Sequence, residues 1–159
     1  ISFFTNCFSW KFELEFKTEI MKKRMLVSTI MTKDLITVNH TDDLTTAERL
    51  FKDHTIRHIP VVNGKEIIGM LSYTDLLRIS YADAVYEDET DVDTMVYNMF
   101  TIEQVMAKNL VKVSPKTTIK EVAEILSREE FHALPVVDGE ELVGIVTTTD
   151  LINYLLEQY

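Results

Sequence analysis

Residues 44–51 place apolar side chains at Leu44, Ala47, Leu50 and Phe51, the three- and four-residue spacing of a helix with one buried face. Further on the rhythm changes. "HIPVV" and "EIIGMLS" are short apolar runs joined by Asn63-Gly64, a pair that favours the positive φ angles of two-residue hairpin turns. An apolar stretch, Ile36–Val38, precedes the helix as a short strand, and a second helix is expected over Asp75–Ile79. The predicted order is β-α-β-β-α.

The same order returns 75 residues later without a gap: "VMAKNLVKV" (105–113) lies on "IMTKDLITV" (30–38), and "LPVVDGEELVGIVTTTDL" (134–151) lies on "IPVVNGKEIIGMLSYTDL" (59–76). Thirteen of fifty positions are identical between 30–79 and 105–154, which makes the register hard to ascribe to chance. The second copy has a strand at Val111–Val113, helix positions Ile119, Val122, Ile125 and Leu126, an Asp138-Gly139 turn and a last helix over Asp150–Glu157. Thr118-x-x-Glu121 offers a capping box at its first helix. Two copies are too few for a solenoid, so they are expected to share a core as one pseudo-symmetric α/β (α+β) unit.

The repeats are assigned to 21–80 and 105–159. Between them, 81–104 carries seven acidic residues and no Lys or Arg. Val92, Met95, Val96 and Met99 recur there at helical spacing, and the methionines read as core or subunit interface rather than a cofactor box. Residues 1–20 differ in character from both repeats. They are Phe-rich and lack the basic start and small-residue cleavage site of a secretory signal. With "MKKRM" at 21–25 resembling a translation start, they are expected to be a non-native or disordered extension. The alternation in "KFELEF" leaves a β-strand as the alternative.

Composition narrows the function. With 46% apolar and 26% charged residues the chain is of ordinary soluble globular type. A net charge of −10 argues against a nucleic-acid surface, including one built on Lys22–Arg24. No apolar run reaches the roughly 18–20 residues of a membrane span. The single Cys7 excludes an internal disulfide or a CxxC metal pair, and a cytoplasmic location is expected. Catalysis has little support. The four glycines all fall in hairpins or strands rather than a phosphate loop, and HExxH is absent. His40, His54, His58 and His132 are not spaced as metal ligands on one helix face. The expectation is a protein that is not an enzyme and holds no metal.

The informative chemistry lies in "GMLSYTD" (69–75) and "GIVTTTD" (144–150), which occupy equivalent positions after a strand and before a helix. Ser72-x-x-Asp75 and Thr147-x-x-Asp150 read equally as helix caps or as ligand sites. Helix N-termini attract anionic ligands. A carboxylate at that place instead suits the hydroxyl-bearing part of a ligand, as acidic residues hold ribose in dinucleotide folds.

The β-α-β-β-α repeat, the h-P-V-V-[DN]-G hairpin and the G-h-h-[ST]-x-x-D-L junction resemble cystathionine-β-synthase (CBS) domains, over about 28–157. Two in tandem resemble the intramolecular pair called a Bateman module. The resemblance implies an adenosine ligand (AMP, ADP, ATP or S-adenosylmethionine) in clefts between the repeats. It assigns Asp75 and Asp150 to the ribose hydroxyls, and Ser72 and Thr147 to ribose or phosphate. Basic residues ahead of the hairpin proline would face phosphates: Arg57 and His58 serving the Asp150 cleft, and His132 alone serving the Asp75 cleft. On that basis the Asp150 cleft is expected to bind polyphosphate better. Thr37 and Lys112 are carried over to the adenine or ribose. The implied protein is a regulatory subunit that dimerises through its helices and acts on a separate effector. The alternative is a structural dimerisation module with empty clefts.

Overall fold

The computed structural model describes residues 24–83 and 99–159. The expected extension, the "KFELEF" strand and most of the acidic insert lie outside these residues. Of the apolar stripe expected in the insert only Met99 is described, and it is exposed.

The first repeat holds β1 (Val38–Asn39), α1 (Leu44–His54), β2 (His58–Asn63), β3 (Glu66–Ser72) and α2 (Tyr73–Asp83). Next comes a one-turn helix, α3 (Ile102–Val105), and then α4 (Ile119–Arg128), β4 (Ala133–Asp138), β5 (Glu141–Thr147) and α5 (Thr148–Leu156). Helix α1 buries Leu44, Ala47 and Phe51, and α4 buries Ile119, Val122 and Leu126, as their periodicity predicts. Both have a side-chain cap: Asp43 accepts from Thr46 N–H, and Thr118 with Glu121 forms the expected capping box.

Two local expectations are corrected. The opening strands are shorter than expected: β1 begins only at Val38, and in the second copy Val113 alone bridges Val136. Val38 pairs with Val61, so one residue earlier the partner would be Pro60, which has no N–H to give a ladder. Pro135 stands at the same place in the second repeat. The hairpin turns are also displaced by one residue. Asn63 still pairs with Glu66, and Asp138 with Glu141, so the turns are Gly64-Lys65 and Gly139-Glu140. Only the glycines take positive φ there, 63° and 64°, at the first central position, as in a type II′ turn.

The strands form one sheet in the order β1-β2-β3-β5-β4. Its two halves meet where Glu66 pairs with Glu141, equivalent residues of the two repeats, which puts the pseudo-two-fold between them. Lys65 Nζ donates to Glu141 Oε1 at 2.8 Å and offsets the like charges. Ile67, Met70, Ala133 and Ile145 form a buried cluster with Leu35, Leu110, Val137 and Leu142 packed against it, drawing on both repeats.

Each repeat is completed by the segment that leads into the other. Val27 packs with Val113, Val122, Leu134 and Val146 of the second repeat, and its N–H donates to Thr117 O. Ile102 and Met106, which lead into the second repeat, lie in the first repeat's core with Leu44, Phe51 and Leu71. Met31 crosses over Gly144 and Met106 over Gly69. A Cβ on Gly144 would lie 2.6 Å from Met31 Sδ. One on Gly69 would overlap Met106 Sδ and lie 2.7 Å from its Cγ. These glycines serve close approach, whereas Gly64 and Gly139 serve the turns. This exchange of leading segments was not expected from the repeat pattern.

Candidate functional site

The exchange opens two equivalent clefts between the repeats. One, of about 450 Å³, is lined by Thr32, Asp34 and Ile36 from the leading segment, by Arg57 and His58, and by Thr147–Asp150 at the start of α5. The other, of about 530 Å³, is lined by Ala107, Asn109 and Val111, by Glu130–Ala133, and by Ser72, Thr74, Asp75 and Arg78 at the start of α2. Both volumes fall in the range of roughly 300–1,000 Å³ typical of small-molecule sites.

At the start of α5, Asp150 is half-buried and tied back to the strand end. Its Oδ2 accepts from Thr147 N–H at 2.7 Å and from Thr147 Oγ1–H at 2.8 Å. The Thr147 oxygen in turn accepts from Asp150 N–H at 3.3 Å, completing a capping box. One carboxylate oxygen therefore does the capping. No hydrogen bond from the described residues reaches the other, Oδ1, and Asp150 lines the cleft. Capping and ligand binding are thus compatible on this one side chain.

The start of α2 differs in detail. Ser72 Oγ–H donates to Asp75 Oδ2 at 2.6 Å and accepts from Asp75 N–H at 3.1 Å. Arg78 Nη1–H donates to Asp75 Oδ1 at 3.4 Å, so both oxygens of this carboxylate have partners.

Arg57, His58 and His132 line both clefts. Two matching backbone bonds fix them: Tyr73 N–H to Arg57 O and Thr148 N–H to His132 O, both 3.0 Å, hold each strand start against the following helix. The cations are therefore shared, and Arg78 adds a further one on the Asp75 side. This corrects the expectation that the Asp75 cleft has His132 alone. Its cause is that the two strand starts lie close together, near enough for His58 and His132 to repel each other, so that both border both clefts. His58 has its pKa lowered, first by burial, then by repulsion from His132 and Arg57, with Asp75 acting the other way.

Two expected residues stand apart. Thr37 is exposed and is not among the residues lining either cleft, although its neighbour Ile36 lines one. Lys112 donates to Ile67 O at 3.3 Å and lines a separate, shallower concavity beside α4. Conversely Asp34, Asn109, Arg78 and Glu130 line the clefts although no motif marks them. A signal for the leading segments was present: Met31/Met106, Lys33/Lys108 and Leu35/Leu110 are identical at the repeat offset, ahead of any strand. Among the described residues no group of His, Cys, Asp and Glu could hold a metal ion, and no helix is long and apolar enough to cross a membrane.

Tandem repeats meeting across one sheet, each with a hydroxyl-x-x-Asp helix start lining a cleft, define a CBS-domain pair. The CBS domain model matches residues 27–82 and 102–157, and the chain belongs to that family. Among curated relatives, an inosine-5′-monophosphate dehydrogenase of Korarchaeum cryptofilum is 30% identical over 120 residues, covering 75% of this chain and 22% of that protein. The chain spans between 22% and 46% of the length of the first three curated relatives it matches. Among solved structures, the CBS domain pair of protein MJ0100, in complex with 5′-methylthioadenosine and S-adenosyl-L-methionine, superposes with a TM-score of 0.71 at 25% identity, covering 85% of this chain and 98% of that one. CBSX2 in complex with AMP has the same fold, with a TM-score of 0.70 at 21% identity over 84% of this chain and 98% of that one.

Proposed function

We propose that the chain is a regulatory module that binds an adenine nucleotide or a related adenosine compound in the clefts between its repeats. The observation that carries this reading is the half-engaged Asp150: Oδ2 caps α5, no described residue donates to Oδ1, and the side chain belongs to the cleft lining. A ribose diol would donate to that oxygen, and in either cleft the phosphates of a nucleotide would lie toward Arg57 and His58, which line both. The MJ0100 and CBSX2 complexes support an adenosine-type ligand.

The action is linkage. A ligand touching both repeats favours the arrangement in which its contacts are best satisfied, by the difference in its affinity for the two arrangements. Helix α5 buries no residue fully and exposes Ile152, Leu155 and Leu156, with Tyr159 beyond it. This i, i+3, i+4, i+7 stripe suits a second copy of the chain, and the output passes to a separate cytoplasmic effector.

Thermal unfolding with AMP, ADP, ATP and S-adenosylmethionine tests the reading. A ligand at 100 times its dissociation constant adds about 2.7 kcal/mol of stability, a shift that is easily seen. No shift with any of the four at millimolar concentration would favour a dimerisation module with empty clefts.

A further inference from the structure

We infer that the two clefts sort ligands by charge, with Arg78 as the discriminating residue: the Asp75 cleft takes the phosphorylated ligand and the Asp150 cleft the less charged one. This rests on the adenosine reading above and reverses the preference expected from sequence.

The helix starts are otherwise alike, both running Thr-Asp-Leu, but Arg78 of α2 is matched in α5 by Asn153. Arg78 lines its cleft, whereas Asn153 is not among the residues lining the other. A second replacement acts in the same sense, since Asp34 lines the Asp150 cleft where Asn109 lines the Asp75 cleft. Glu130, which stands where the Asp150 cleft has Thr55, acts the other way and cancels one of these two. With Arg57, His58 and His132 common to both, the Asp150 cleft is left with one more net negative charge.

Arg78 is also held loosely. Its contact to Asp75 Oδ1 is 3.4 Å and its side chain is 77% exposed, whereas a strong charge-assisted bond is nearer 2.8 Å. A phosphate offers the guanidinium fork a better acceptor, and accepting it frees Asp75 Oδ1 for a ribose diol. A neutral nucleoside provides no such exchange and must compete with Arg78. At Asp150 no described residue competes, because none donates to Oδ1. Nucleoside and nucleotide are thereby directed to different clefts.

Calorimetry with adenosine and with ATP, on the full chain and on Asp75→Ala and Asp150→Ala to assign the clefts, tests this. Asp150→Ala should remove most adenosine binding, and Asp75→Ala most ATP binding. Arg78→Gln should weaken ATP by about tenfold, the worth of one charge-assisted bond, and change adenosine affinity by less than about threefold. Arg78→Lys should retain most of the ATP affinity, and Asp34→Asn should tighten ATP in the Asp150 cleft. An ATP-to-adenosine ratio unchanged by Arg78→Gln, or loss of ATP binding in Asp150→Ala alone, would overturn the assignment. If neither ligand binds the unmodified chain, the adenosine reading itself falls, and this inference with it.

Discussion

The Asp150 and Asp75 clefts are built on the same backbone plan and furnished differently. Each has a leading segment from one repeat, the two shared strand starts, and a capped helix start from the other repeat. The repeated features are those that fix geometry: the close-approach glycines, the turn glycines, the prolines and the carboxylates. What differs is Arg78, Asn109 and Glu130 beside Asp75, against Asp34 and Thr55 beside Asp150, with Asn153 at the position of Arg78; Arg57, His58 and His132 are common to both. On the proposed reading, duplication fixes where a ligand sits, and the unmatched charges decide which ligand it is.

The largest effects should come from breaking the exchanged segments. Ile102 is fully buried in the first repeat although it leads into the second. Ile102→Ala should cost about 2–5 kcal/mol, the usual range for a buried aliphatic truncated in a core. Val27→Ala, the counterpart in the second repeat, should cost less, about 1–3 kcal/mol. Urea midpoints measure both. Near-neutral values would mean that the repeats close without their exchanged segments.

Glycine substitutions sharpen the same comparison at smaller size. Gly69→Ala drives a Cβ into Met106 and should cost about 1–3 kcal/mol. Gly144→Ala, facing Met31, has slightly more room and should cost less. Pairing Gly69→Ala with Met106→Ala tests the cause, since the second change vacates the space the first one needs. Their combined cost should fall short of the sum of the two, and strict additivity would show that the close approach is not what Gly69 provides. Gly64→Ala meets no atom within 4 Å, so its cost of about 1 kcal/mol would come from φ alone.

The smallest effect is that of pH on His58. Folding lowers its pKa, so the unfolded chain binds the proton more readily. Its contribution to stability is therefore whole above the ordinary value of 6.5 and declines as pH falls below it. His58→Gln should flatten unfolding free energy between about pH 7.5 and 5.5. A nucleotide's phosphates beside His58 favour the protonated form, so ATP affinity should rise over the same interval and rise less in the variant. An unchanged pH profile would place His58 away from the phosphates.

Most of the fold was legible because periodicity reports burial directly. The α1 and α4 stripes, the hairpins and the caps arise from residues close in sequence. The exchange was not legible, because Val27 and Ile102 look like any apolar residue and only their contacts across the pair show which core they join. The opening strands were overestimated because an apolar run does not reveal that its partner is a proline. Asp75, Asp150, Ser72 and Thr147 were legible as a repeated motif, whereas Arg57, His58 and His132 were reached only through the family resemblance. What the chain could not show is that the two strand starts lie close together and serve both clefts. Arg78 escaped notice because an arginine three residues after an aspartate on a helix reads as an ordinary surface pair.

The most direct test of the central claim is adenine-nucleotide binding to Asp150→Ala and Asp75→Ala, separately and together, by calorimetry on folded protein. Each single variant should lose one class of site and the double variant should lose both, with losses of tenfold or more, because each carboxylate has its own cleft. If the double variant binds AMP and ATP as the unmodified chain does, neither aspartate holds a ribose, and both serve only their own helix starts.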